Sequence, residues 1–164
     1  MNGVSWFLAF AFCAWDGGHL PTELEWEYAA AGGDENRAYP WGNAYPDATR
    51  ANYYESAVDP TMRVGSFPLG AARWGQYDMA GSMWEWTMDV FDESWYANGG
   101  ASCSDCAYLS SWAGANRAKR GGSWAIPASF MKYAYGDVQP LRTANRSGDN
   151  WSGSEVGFRC ARSL

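Results

Sequence analysis

Leu20-Pro21-Thr22-Glu23-Leu24-Glu25-Trp26-Glu27-Tyr28-Ala29-Ala30-Ala31-Gly32-Gly33 carries its own start and stop signals. Thr22 followed three residues later by Glu25 is a capping box, in which each side chain satisfies the other residue's orphan backbone N–H. Leu24, Tyr28 and Ala31 recur at helical spacing and predict one apolar face. Gly32-Gly33 supplies the left-handed residues on which helices end. The stretch reads as a short helix, and the rest of the chain is fitted around it.

Upstream, Val4, Phe7, Leu8, Ala11 and Phe12 share a face if residues 4–15 are helical, and that face is expected to be buried. Asp16-Gly17-Gly18 stops this helix. The apolar stretch has no Lys or Arg before it and no small-x-small site after it, so it does not read as a signal peptide. It is also too short to span a bilayer.

Downstream the helical period disappears. Residues 34–72 are rich in Asn, Asp, Pro, Gly and Tyr and read as ordered loop, with a short strand expected around Arg63–Phe67. Met83, Glu85 and Thr87 alternate with Trp84, Trp86 and Met88, which is strand periodicity. Residues 92–118 read as loop, and Lys119–Trp124 and Val156–Arg162 as the last strands. No repeat, low-complexity tract or linker interrupts residues 1–164, which are read as a single domain.

Composition narrows the function classes. The 164 residues include 11 Trp, 10 Tyr and 7 Phe against only 18% charged residues. So much aromatic area has to be buried or bound, which excludes a disordered chain. A formal net charge of −6 argues against a nucleic-acid partner. The basic run Arg117–Arg120 is expected to be a solvated loop. With one histidine in the chain, no Ser-His-Asp constellation is available.

Six stretches then occur in a characteristic order. They are Leu20–Glu23 with Glu25–Ala30, Tyr39-Pro40-Trp41-Gly42-Asn43, Val64-Gly65-Ser66-Phe67-Pro68, and Gly75-Gln76-Tyr77-Asp78-Met79-Ala80-Gly81-Ser82-Met83-Trp84-Glu85-Trp86-Thr87, followed by Arg120-Gly121-Gly122-Ser123-Trp124 and Gly157-Phe158-Arg159-Cys160-Ala161-Arg162. The series resembles the formylglycine-generating enzymes, or sulfatase-modifying factors, along nearly the whole chain. The resemblance implies an α+β, C-type-lectin-like fold, with two helices packed on a small antiparallel sheet and little regular secondary structure. The strand segment that family members carry ahead of the first helix is missing here. This implies either a shortened copy or a partner that completes the sheet.

Active members oxidise a substrate cysteine with O₂, using copper(I) held by two thiolates after the Gly-Gly-Ser motif. The matching positions here are Ile126 and Met131, or Val138 for the second when counted back from Gly157. No cysteine lies between Cys106 and Cys160, so the resemblance implies that copper and the oxidase chemistry are absent. It also implies a Cys13–Cys160 disulfide, closing a loop worth roughly 4–5 kcal/mol in the chain-entropy model. Cys103-Ser-Asp-Cys106 could be a redox dithiol, half a zinc site or a local disulfide, and the last is favoured. Two bridges would suit a secreted, periplasmic or cell-surface location.

Calcium is the cofactor the resemblance implies. Asp78 and Glu85 would supply side-chain oxygens and Gly81 and Met83 carbonyls, against the plainer reading that Glu85 caps a buried turn. A second site would use Asn52, Tyr53 and Asp59. Most tryptophans read as core. Trp95, Trp112 and Trp151 lie in loops and, with Asn145, Asp149 and Asn150, are candidates for ligand contact. The leading reading is a non-catalytic module, a pseudoenzyme binding a protein or glycan through residues 123–156. The alternatives are a catalytic member with an atypical site, whether a sulfatase-maturation oxidase or a related sulfur oxygenase, and a structural component of a surface or secreted assembly.

Overall fold

The chain opens with two α-helices, α1 at Trp6–Trp15 and α2 at Glu23–Ala31. Among the described residues four strands follow: β1 at Trp84–Val90, β2 at Arg117–Arg120, β3 at Arg146–Asp149 and β4 at Val156–Phe158. They form one sheet in the order β3-β2-β1-β4, with β1 and β2 antiparallel. This computed structural model describes residues 2–56, 62–98, 102, 106–109, 115–127, 146–150 and 152–162. The fold is the expected α+β class with sparse regular structure. The described residues between α2 and β1 hold only 3₁₀ turns, at Gly33–Glu35, Tyr54–Ser56 and Pro68–Gly70. No helix among the described residues is long and apolar enough to cross a membrane. The chain divides into two compact units, the first comprising Met1–Trp26, Glu85–Arg120 and Ser147–Leu164, the second Glu27–Trp84 and Gly121–Arg146.

In the first unit, α1 starts at Ser5, whose hydroxyl accepts the Leu8 N–H. The face it buries is not the expected one. Trp6, Ala9 and Cys13 point inward, whereas Phe7 is 69% and Leu8 57% exposed. Two interactions decide the rotation. The Trp6 indole donates to the Thr87 carbonyl at 2.7 Å, and Cys13 is bridged to Cys160 across 147 residues. A buried indole N–H needs a partner and a disulfide tolerates little displacement, so both outweigh a count of apolar side chains. The neighbouring Trp86 indole donates to the Val4 carbonyl at 2.8 Å, locking the entry to α1 onto β1.

Helix α2 begins as its sequence dictates. The Thr22 hydroxyl accepts from the Glu25 N–H at 3.1 Å, and the Glu25 carboxylate accepts from the Thr22 N–H at 2.8 Å. Of the expected inward residues Leu24, Tyr28 and Ala31, Ala31 is buried, Leu24 is half-buried and Tyr28 faces out. Trp26 and Ala30 are buried with Ala31, and Tyr28 is exposed. Trp26 takes the inward position because its indole donates to Glu85 at 2.7 Å.

The basic run Arg117–Arg120 is not a solvated loop but strand β2, buried throughout. Indole faces make this tolerable, because an aromatic quadrupole attracts a cation that water no longer reaches. The Arg117 guanidinium lies 3.8 Å from the Trp6 ring centre, the Lys119 ammonium 5.5 Å from Trp86, and the Arg120 guanidinium 5.9 Å from Trp26. The strand expected over Lys119–Trp124 therefore lies earlier. It ends at Arg120 because Gly121 and Gly122 both take positive φ, at 97° and 74°. The final strand is also shorter than expected, and Ala161 instead bridges to His19. In the second unit, the strand expected at Arg63–Phe67 is a turn closed by the Ser66 N–H on the Arg63 carbonyl at 3.2 Å.

Candidate functional site

Within the second unit, three segments are laced together by backbone bonds. The Gly81 N–H donates to the Gly121 carbonyl at 2.8 Å, the Ser82 N–H to Asn52 at 2.7 Å, and the Trp124 N–H to Ser82 at 3.1 Å. Only glycine fits at position 81, because a β-carbon there would stand 2.2 Å from the Asn52 carbonyl oxygen. This frame carries the start of the 123–156 segment. Ser123 is fully buried, and Ile126, at the first of the positions matched to the copper thiolates, accepts the Tyr54 N–H at 3.4 Å.

The expected calcium donors fare differently. Asp78 adopts a left-handed backbone (φ 58°), and its carboxylate accepts the Gly65 N–H at 2.7 Å. The Gly81 carbonyl accepts the Met83 N–H at 2.7 Å. Asn52 and Tyr53 stand side by side. The Asn52 side-chain oxygen accepts from Ser56 at 3.3 Å, and the Tyr53 hydroxyl donates to Pro46 at 3.3 Å. In the first unit, Glu85 is gripped by Arg159, with Nε and Nη2 each 2.6 Å from a carboxylate oxygen, and by the Trp26 indole. A guanidinium already neutralises this carboxylate, so as it stands Glu85 does not fit the role of a cation ligand. Among the described residues, no three of His, Cys, Asp and Glu converge on a metal position.

Of the candidate ligand-contact residues, Trp95 stacks on Tyr108 with ring centres 4.4 Å apart. Asn150 is exposed at the rim of a cavity of about 250 Å³ in the first unit, lined also by Ser5, Trp6, Phe7, Trp86, Ala115 and Arg117. Asp59, Cys103, Trp112, Met131, Val138, Asn145 and Trp151 lie outside the described residues, as does the side chain of Asp149. Cys106 is disulfide-bonded, as the local-bridge reading requires, and no described cysteine is free.

Sequence reasoning overlooked the aromatic wall of this cavity and the buried Asp89. The Asp89 carboxylate accepts the Glu23 and Tyr108 N–H groups, each at 2.8 Å. Burial pushes this carboxyl up to about 6, against the opposing pull of those two N–H groups. The available signal was three cations packed into four residues of a Trp-rich, acidic chain, a pattern that calls for indole faces or buried carboxylates.

The family model of the FGE-sulfatase domain, described as a sulfatase-modifying factor enzyme 1-like domain, matches residues 1–164. The chain belongs to this family. The FGE-sulfatase domain here is 34% identical over 178 residues to the formylglycine-generating enzyme of Mus musculus, covering 96% of the chain and 42% of that relative. It is 37% identical over 141 residues to a hercynine oxygenase of Mycolicibacterium thermoresistibile, covering 80% and 30%. It is 34% identical over 169 residues to the inactive C-alpha-formylglycine-generating enzyme 2 of Bos taurus, covering 96% and 48%. The chain thus spans less than half the length of each of these relatives. Among solved structures, PvdO of Pseudomonas aeruginosa superposes with a TM-score of 0.77 at 27% identity, covering 99% of the chain and 61% of PvdO. The variable protein 1 of Treponema denticola does so with a TM-score of 0.58 at 26% identity, covering 85% and 45%.

Proposed function

We propose that this FGE-sulfatase domain is a non-catalytic binding module that engages a protein or glycan through residues 123–156. The observation that carries the reading is the state of its sulfur. Cys13, Cys106 and Cys160 are all disulfide-bonded, and the chain has no other cysteine after residue 106. A copper(I) oxidation site needs soft thiolates, and the position that the resemblance matches to the first of them is Ile126. The resemblance to a relative named as inactive and to one named as variable supports the same reading. The cavity rimmed by Asn150 offers aromatic walls and a buried cation for a small group of that ligand. The disulfides support a secreted, periplasmic or surface location.

The alternative is catalysis of the kind the formylglycine-generating and hercynine relatives are named for. Copper titration combined with an O₂-uptake assay on a cysteine-containing sulfatase peptide separates the two. No uptake is expected, and measurable turnover overturns the binding-module reading. Calcium remains part of the proposal for the stretch carrying Asp78, Gly81 and Met83, where hard oxygens are available. Equal melting temperatures in calcium and in EDTA would remove calcium from the proposal.

A further inference from the structure

Helix α1 contains no charged residue, and the face it leaves open is apolar at every position. Phe7 is 69% exposed, Leu8 57%, Phe12 38% and Trp15 80%, with exposed Ala11 at their centre. This is the face whose periodicity predicts burial. Aromatic side chains carry about 150–250 Å² each and leucine somewhat less, so at these exposures the three aromatics and Leu8 together present on the order of 500 Å² of apolar surface. An exposed apolar patch of that size marks an interaction surface. The patch is preformed, because the Trp6–Thr87 hydrogen bond and the Cys13–Cys160 bridge hold α1 from its inner side. It continues onto the sheet, where the Phe12 ring meets Phe158 edge-on at 5.5 Å.

We propose that a second copy of this chain covers the patch, α1 packing antiparallel on α1 about a two-fold axis. The spacing is self-complementary. With Ala11 on the axis, Phe7 of one copy falls opposite Trp15 of the other, and the alanine lets the helices approach closely. The area agrees, since two such patches remove on the order of 1,000 Å², the lower bound for a specific interface. Charge argues for like on like. The helix offers no ionic group with which to select a different protein, and homodimer interfaces are the more apolar class. A membrane surface is disfavoured, because the helix has no Lys or Arg and the chain's net charge of −6 is repelled by anionic lipid.

Sedimentation equilibrium of the 164-residue chain, from about 1 to 200 µM, tests this. The expected result is a reversible rise from 18.1 kDa toward twice that mass. Ala11→Glu and Trp15→Glu should each weaken association at least tenfold with unchanged far-ultraviolet circular dichroism, since both positions are exposed. A chain that stays monomeric at 200 µM overturns the proposal, as does a dimer indifferent to both substitutions. Co-sedimentation of monomeric chain with phosphatidylserine vesicles, lost in Trp15→Glu, would overturn it in favour of a lipid surface.

Discussion

Arg120 and Glu23 form an ion pair with both side chains at 0% exposure, Arg120 Nε donating to Glu23 Oε1 at 2.9 Å. The pair ties β2 to the first turn of α2. Its desolvation is costly, so its value lies in complementarity rather than in net stabilisation. Arg120→Leu alone is expected to cost about 3–5 kcal/mol, because it strands a buried carboxylate. Glu23→Leu combined with Arg120→Leu should cost less than either single change. Urea denaturation of the three variants measures this, and additive losses would show that the pair is not coupled.

Asp89 sits beside that pair and titrates in a different window. Its folded carboxyl is raised from 3.8 to about 6, with burial the largest cause. A carboxyl raised on folding contributes stability that is fully present below pH 3.8 and is lost as pH rises through 6. The stability of the chain relative to Asp89→Asn should therefore fall between pH 4 and pH 6, by about 3 kcal/mol at most. Denaturant titrations at several pH values across that window test it, and a difference that stays flat would refute the shift.

The bridge between Cys13 and Cys160 closes a separation of 147 residues. Paired serine substitution should cost about 4–5 kcal/mol in the chain-entropy model, lowering Tm by roughly 10 °C or more in a chain of this size. A thiol count on denatured, non-reduced protein should give zero. Any free thiol would contradict the bonding of Cys106 or of the terminal pair.

Gly81 lies against the Asn52 carbonyl with φ 74°. Gly81→Ala is expected to destabilise by more than about 2 kcal/mol, through both the backbone conformation and the contact. A glycine-to-alanine change at exposed Gly17, which has nothing within 4 Å of the added carbon, isolates the strain from the clash. If the two variants lose equal stability, the close approach at Gly81 carries no cost of its own.

Legibility in the sequence followed the range of the interactions. The α2 capping box closes within four residues, so Thr22 and Glu25 announced it and the structure repeats it. The alternation around Trp84–Val90 was readable for the same reason. The buried faces of α1 and α2 were not, since Trp6 and Trp26 turn inward to reach Thr87 and Glu85, residues 81 and 59 positions away. Of the candidate site, the lack of any cysteine between Cys106 and Cys160 was plain in the residues. The engagement of Glu85 by Arg159 was not, because the two carboxylate contacts span 74 positions.

The chain's own residues determine where its first two helices stop and that no cysteine lies between Cys106 and Cys160. Those properties depend on local backbone chemistry and on which atoms exist at all. Tertiary structure alone decided that Arg117, Lys119 and Arg120 are buried against indoles and that the apolar stripe of α1 faces outward. Burial is settled by whichever distant group comes to lie against a side chain, and no spacing within the chain encodes that partner.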